Sequence, residues 1–289
     1  MANLDTRLLD ALFIFDCYRV IVMIRPPLMP WHTLESVAEG SAPASKLSRL
    51  LSCTENLFNP MKSIEQPVWD AAGLAVLASN APHIWSAMYP RFNADLGDNV
   101  LVEAIDVGRP YFAEIACERW LSAHTAEEPI NTSHMAVYHM MNILLHANMT
   151  LLQIFAHSPP DSPTRDPATS AWAREVLRWT QDRHHGVALW HAEQLIGTIE
   201  TAVAHRVTDQ HHNSSRTSRN QSTTDAQESP HVPYAVYFAT LVQWCGGIMR
   251  KPPMTATELQ APIVRSQRIL LLHKIHIAKL LAKALSNIN

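Results

Sequence analysis

Residues 132–157 read TSHMAVYHMMNILLHANMTLLQIFAH, twenty-six positions without a single Lys, Arg, Asp or Glu. Uncharged does not mean membrane-spanning here. Asn142, Asn148, Gln153 and several His interrupt the run, whereas a span needs about twenty consecutive apolar residues. The large apolar side chains Tyr138, Met141, Leu145, Leu152 and Phe155 recur at three, four and seven, the period of a helix buried over one broad face. A long helix of this kind has to be enclosed by other helices. The stretch therefore predicts an all-α protein with residues 132–157 near its centre, and Asn131 or Thr132 as the N-cap.

Composition agrees. Of 289 residues, 47% are hydrophobic and 17% charged, against a usual charged share of about 25%. Only 8 Gly occur beside 19 Pro, which disfavours hairpins and phosphate loops and suits helices joined by Pro-containing turns. The pattern predicts one irregular multi-helix domain over residues 1–289, with about nine to eleven helices. The first covers Asp5 to Ile24 and stops before Pro26-Pro27. A short one runs from Ser45 to Leu57. Another starts near Pro67 and carries Trp69, Leu74 and Leu77. One or two short helices occupy 82–106, and Pro110 opens a clearer one with Phe112, Ile115, Trp120 and Leu121. After the turn-rich SPPDSPTRDP (158–167), two helices bearing Trp172, Trp179 and Trp190 lie near 168–184 and 186–205. Residues 207–230 are polar and offer too little apolar surface to offset the entropy of ordering. They read as a flexible loop. VPYAVYFATLVQWCGGIM (232–249) is a second nearly uncharged helix ending at Gly246-Gly247. Thr255 and Glu258 form a capping-box pattern. An amphipathic helix follows Pro262, with Ile269, Leu272, Ile275, Leu280 and Leu281 on its apolar side and Arg265, Arg268, Lys274, Lys279 and Lys283 on its polar side.

Several chemistries are absent from the pattern. The formal net charge of −3 supplies no whole-chain field for nucleic-acid phosphates. No glycine-rich nucleotide loop, GxSxG elbow, kinase set or HExxH occurs. Cys17, Cys53, Cys117 and Cys245 are dispersed, so neither a structural zinc site nor a secreted disulfide framework is expected. The apolar start carries Asp10, Asp16 and Arg19 and no cleavage site. It reads as a core helix of an intracellular protein. A Glu-x-x-His pair of the di-iron type occurs at Glu228 and His231, within the polar loop. His273 and His276 sit three apart, but two ligands do not complete a metal site. His139 and His146, seven apart, read as satisfied core polar groups, with acid–base catalysis as the alternative. Met135, Met140, Met141 and Met149 read as adaptable core filling, with a ligand groove as the alternative. Sixteen His also raise the option of a response to pH, since imidazole titrates near pH 6.5. No catalytic, cofactor-binding or metal-ligating residue is assigned, and no cofactor is expected in this chain.

Four segments carry a resemblance. LLDALFIFDCYRVIVMIRPP (8–27), AVYHMMNILLHANMTLLQIFAHSP (136–159), VALWHAEQLIG (187–197) and VPYAVYFATLVQWCGGIM (232–249) resemble the fungal-specific transcription factor regulatory domain. This is the middle homology region, of the type attached to two-Cys two-His zinc fingers. The resemblance spans roughly residues 5–286 and rests on diffuse helical patterns. It implies an all-helical regulatory module acting in the nucleus. The implied contacts are coregulator proteins or a DNA-binding region outside this chain, with a homodimer as a further option. A helical sensor binding an apolar effector beside the Met-rich central helix is the alternative, and a helical enzyme a third class. This chain has neither paired zinc fingers nor a six-Cys cluster, so sequence-specific DNA binding is carried over to none of its residues.

Overall fold

The computed structural model describes residues 2–28, 50, 53–54, 56–59, 61–62, 72–88, 100–125, 131–212, 229–250, 252 and 254–288. Among them are eleven α-helices, one short 3₁₀ turn and no strand. We number the helices α1 (Ala2–Met23), α2 (Ala72–Ala78), α3 (Ala81–Met88), α4 (Val100–Thr125), α5 (Thr132–His146), α6 (Met149–His157), α7 (Ala171–Thr180), α8 (Arg183–His212), α9 (His231–Ile248), α10 (Ala256–Leu272) and α11 (His276–Ser286). The protein is all-α, as the apolar period and scarce Gly predict. No described helix is long and apolar enough to cross a membrane.

Internal contacts divide the chain into two compact units, Met1–Ile130 and Asn131–Asn289. In the first, α1 packs on α2 and α3, and α3 packs on α4. Phe13, Cys17, Val20 and Ile21 of α1 are buried, at the i, i+4, i+7, i+8 spacing of one helix face. Val76, Leu77, Ile84, Cys117 and Trp120 are buried in the same unit. Ile24 ends α1 with φ of 52°, a left-handed conformation that a β-branched residue rarely adopts. Beyond it the Pro26-Pro27 segment turns back along the helix. Asp16 pairs with Arg19 at 3.0 Å and accepts the Leu28 amide at 2.7 Å, while Arg19 donates to the Pro26 carbonyl. Buried Asp16 thus has a charged partner and a backbone donor, which a buried carboxylate requires. The helix expected to open at Pro110 instead runs through it from Val100. The expected positions Pro67 and Trp69, and most of 45–57, lie outside the described residues.

In the second unit α9 is the hub, packing against α5, α6, α8, α10 and α11. From Ala136 to His146 every residue of α5 is buried. So are most of α9's residues. Tyr138, Met141, Leu145 and Leu152 all lie in the core, as their spacing predicts. The expected single helix over 132–157 is interrupted, however. Ala147 is extended, at φ −139° and ψ 128°, and the Asn148 side chain accepts the Leu151 amide to start α6 afresh. Asn offers the backbone a competing hydrogen bond and so favours a cap over a helix interior. The Trp179 indole N–H then donates to the exposed end of α5, the His146 carbonyl, at 2.7 Å.

Caps mark the other junctions. Asn131 caps α5 through the Ser133 amide. Ser170 caps α7. Asp182 accepts from His184 N at 3.0 Å at the start of α8, so α7 and α8 part at Gln181-Asp182 rather than between 184 and 186. Helix α8 extends to His212, which makes 207–212 helical rather than loop. Residues 213–228 lie outside the described residues. The Thr255–Glu258 capping box is formed in both directions. Pro262 sits inside α10 instead of preceding it, and His273 is extended, so the last amphipathic stretch is two helices.

Candidate functional site

The most unusual chemistry lies on the seam between α5 and α8. His139 and His191 meet Nδ1 to Nδ1 at 2.9 Å. His146 and His184 meet the same way at 2.8 Å. Going seven residues forward on α5 is matched by going seven back on α8. That is the register of two antiparallel helices with histidines at heptad spacing. Midway lie Asn142 and Ala188, both buried. In each pair one ring nitrogen has to donate and the other to accept.

Burial governs their ionisation. His139 is pushed down to about 4 by burial. His191 is pushed to about 3, first by burial and then by its imidazole neighbours His139 and His146. His146 falls to about 4 through burial, with His184 and Arg183 adding to the effect. Removing an imidazolium from water is unfavourable without a counter-charge, and no carboxylate is among these causes. Tyr138 and Trp190 meet the rings edge-on: Tyr138 lies 5.0 Å from His139, and Trp190 lies 4.7 Å from His191.

Another buried imidazole, His231, joins the starts of α5 and α9. His231 Nε2 donates to the Ser133 carbonyl at 3.1 Å and lies 2.8 Å from Ser133 Oγ, which also meets Ser229 Oγ at 3.1 Å. Ser and His are the residue types of a nucleophile–base couple. Here the ring proton points at a carbonyl, so Nε2 has no lone pair free to take the hydroxyl proton. The arrangement fastens two helix ends together.

The seam leads to a groove where α8, α9 and α10 diverge. Its volume is about 670 Å³, and its lining includes His185, Leu189, Gln243, Met249, Met254 and Pro262. The Trp179 ring is 4.7 Å from His185, linking groove and seam. Gly246 permits the close approach of α8: a Cβ there would lie 2.3 Å from His185 Nε2. A Cβ at Gly247 would lie 2.7 Å from Met254 Sδ. Arg265 of α10, which also lines the groove, clasps Glu200 of α8 through two hydrogen bonds, with Nε–Oε1 at 2.6 Å.

The residues singled out by sequence separate clearly. His139 and His146 are core groups, each partnered by a second imidazole. His273 is buried at the end of α10 while His276 is exposed on α11, so they share no face. Glu228 lies outside the described residues. Met140, Met141 and Met149 are fully buried and line neither this groove nor the shallow depression over Pro160–Thr169. Arg268, Lys279 and Lys283 are exposed but divided between two helices, and Arg265 is engaged by Glu200. Cys17, Cys117 and Cys245 are buried and Cys53 half-buried, all as free thiols. Among the described residues no three His, Cys, Asp or Glu converge as a metal site. Sequence reading missed His184, His185, His191 and Gln243. The matching seven-residue spacing of His184 and His191 was the signal, but it acquires meaning only with the pairing register.

Comparison with protein-family models, curated proteins and solved structures finds no match for this chain.

Proposed function

We propose that this chain is the regulatory, protein-interaction part of a fungal transcription factor, acting in the nucleus on coregulators or on a DNA-binding region outside the chain. The observation that carries the reading is where the resembling segments fall. Three of the four, 136–159, 187–197 and 232–249, lie on α5–α6, α8 and α9, and these helices pack on one another as the centre of the second unit. The residues that support the resemblance are thus the ones that build the scaffold. The fourth, on α1, leaves Leu8, Leu12 and Phe15 exposed at 60%, 48% and 62%. They form an i, i+4, i+7 stripe suited to a partner helix. Self-association through such a stripe is part of the proposal.

The test is a reporter assay with the chain fused to an unrelated DNA-binding domain. Reporter output should change several-fold in either direction. Leu12→Glu with Phe15→Glu should abolish the change and leave helicity by circular dichroism unaltered. An unchanged output on both activation and repression reporters would refute the proposal. The sensor reading is favoured by a separate observation, the groove between α8, α9 and α10. An enzyme would need acids and bases aimed together at a reacting atom, whereas the four seam imidazoles are bonded in pairs and His231 is bonded to the backbone.

A further inference from the structure

We infer that the outward face of the α10–α11 hairpin is a docking surface for an acidic amphipathic segment of a partner protein, one that carries carboxylates interleaved with bulky apolar side chains. The surface is distinct from the α1 stripe and needs no part of the transcriptional reading.

The distribution of charge points to the partner's sign. The chain is mildly acidic as a whole, with a formal net charge of −3. From Leu259 to Asn289, however, it carries Arg265, Arg268, Lys274, Lys279 and Lys283 and no Asp or Glu. A solvated surface ordinarily intersperses both signs. Glu200 of α8 engages Arg265. Among the described residues the ion pairs are Asp16–Arg19, Glu175–Arg178 and Glu200–Arg265, so no described carboxylate is paired with Arg268, Lys279 or Lys283. Lys279 and Lys283 stand four apart on α11, where like charges repel. Carboxylates supplied from outside would relieve that repulsion.

Packing gathers these cations on one surface. Helices α10 and α11 pack on each other, joined by a short turn in which His273 is extended. Gln267 donates to the Ala282 carbonyl at 3.2 Å. Gln267 lies about as far before the turn as Ala282 lies after it, so α11 runs back along α10. Arg268 and Lys283, each next in sequence to a bonded residue, therefore sit at the same level of the hairpin.

Apolar side chains lie among the cations. Both helices turn one apolar face inward: Ile263, Ile269 and Leu270 of α10 and Ala278, Leu281 and Leu285 of α11 are buried. Yet Leu271 is 63% exposed and Leu280 48%. On α10 the exposed residues Val264, Arg268 and Leu271 follow i, i+4, i+7, and on α11 the exposed residues His276, Leu280 and Lys283 do the same. Each stripe thus alternates apolar and basic groups. A partner helix laid along the hairpin would set apolar anchors on Leu271 and Leu280 and carboxylates on Arg268, Lys279 and Lys283. A bilayer calls for a continuous apolar helix face, and the one these helices possess is enclosed in the protein. A nucleic-acid backbone would engage the cations and leave Leu271 and Leu280 in water. An acidic amphipathic segment matches both kinds of group.

A peptide series tests this. The probe is a fluorescein-labelled peptide of Glu and Leu, with Leu at the i, i+3, i+4, i+7 positions of one helix face. The full chain is titrated into it and binding is read by fluorescence anisotropy. One relative has Gln in place of each Glu, and another has Ala in place of each Leu. The Glu–Leu peptide should bind saturably. Each relative should bind about tenfold more weakly, since one loses the charge and the other the anchors. Arg268→Glu with Lys279→Glu should weaken the Glu–Leu peptide about tenfold, and so should Leu271→Ser with Leu280→Ser. Arg268→Lys with Lys279→Arg keeps the charge and should bind as the wild type does. These side chains are exposed, so circular-dichroism melts of all three variants should match the wild type. Leu12→Glu with Phe15→Glu, on the α1 stripe, should leave peptide binding unchanged. The proposal is overturned if the Glu–Leu peptide shows no saturable binding up to about 1 mM chain, if either relative binds as tightly, or if the charge-reversed or the Ser variant retains full affinity. Phosphatidylserine vesicles and a mixed-sequence DNA duplex, titrated likewise, should bind more weakly than the peptide. Tighter binding of either that the charge-reversed variant loses would assign the surface to lipid or nucleic acid and overturn the proposal.

Discussion

Acidification should destabilise this protein well above the pH at which its carboxylates titrate, and the His139–His191 pair sets a minimum size for the effect. Both rings are buried and neutral in the folded chain, with ionisation pushed to about 4 and about 3. In the unfolded chain each titrates near 6.5. Between those values the unfolded state binds protons that the folded state does not. Stability is therefore complete above about pH 7 and declines as pH falls through 6.5. It levels off only below the folded values. By pH 5.5 each ring contributes a loss of about 1.4 kcal/mol, so the pair contributes about 3 kcal/mol. Ordinary Asp and Glu, near 4, barely titrate in that window. Urea unfolding at pH 7.5 and pH 5.5, followed by circular dichroism, measures the difference. The control is His139→Asn with His191→Asn, which keeps an amide nitrogen or oxygen close to each Nδ1 position and removes the titration. The double variant should be less stable at both pH values because it leaves a cavity. Its loss between the two pH values should still be smaller than that of the wild type by about 3 kcal/mol. His146 and His231, both pushed to about 4, remain in the variant and keep some dependence. A wild type that loses less than about 1 kcal/mol between the two pH values would refute the reasoning. So would a double variant with the full wild-type loss.

Three other outcomes follow from the packing and the charge. Leu145→Ala empties part of the α5 core and should lower unfolding free energy by about 2–5 kcal/mol in the same urea assay. Gly246→Ala places a Cβ against His185 Nε2 and should cost about 1–3 kcal/mol, with a change in Trp179 fluorescence because that ring rests on His185. The isolated chain should show no sequence-selective duplex binding in gel shifts. Any weak retention through Arg268, Lys274, Lys279 and Lys283 should vanish as salt rises, since it would rest on counterion release.

The helical class, the enclosed faces and several helix ends are legible in the sequence. Period and composition are local properties, and they were enough to place Tyr138, Met141, Leu145 and Leu152 in a core. Asn131, Thr255 and Glu258 cap as their types and spacing require, because a cap bonds only to its own first turn. The break at Asn148 is a local preference too, but its strength against a continuous apolar period is decided by packing, where Trp179 arrives from another helix to take the His146 carbonyl. Pro110 and Pro262, which read locally as helix starts, lie inside helices for a similar reason. A helix already formed on both sides of a proline tolerates the lost bond when neighbours hold it in place. The site, by contrast, arises from the packing of helices distant in the chain. His139 and His146 do not differ from any other buried polar residues until α8 is laid antiparallel in the register that brings His191 and His184 opposite them. Gln243, His185 and Pro262 lie on three separate helices, and the groove they share exists only where those helices diverge. Such a site depends on distances between residues far apart in the chain, and no period or spacing within one helix encodes them.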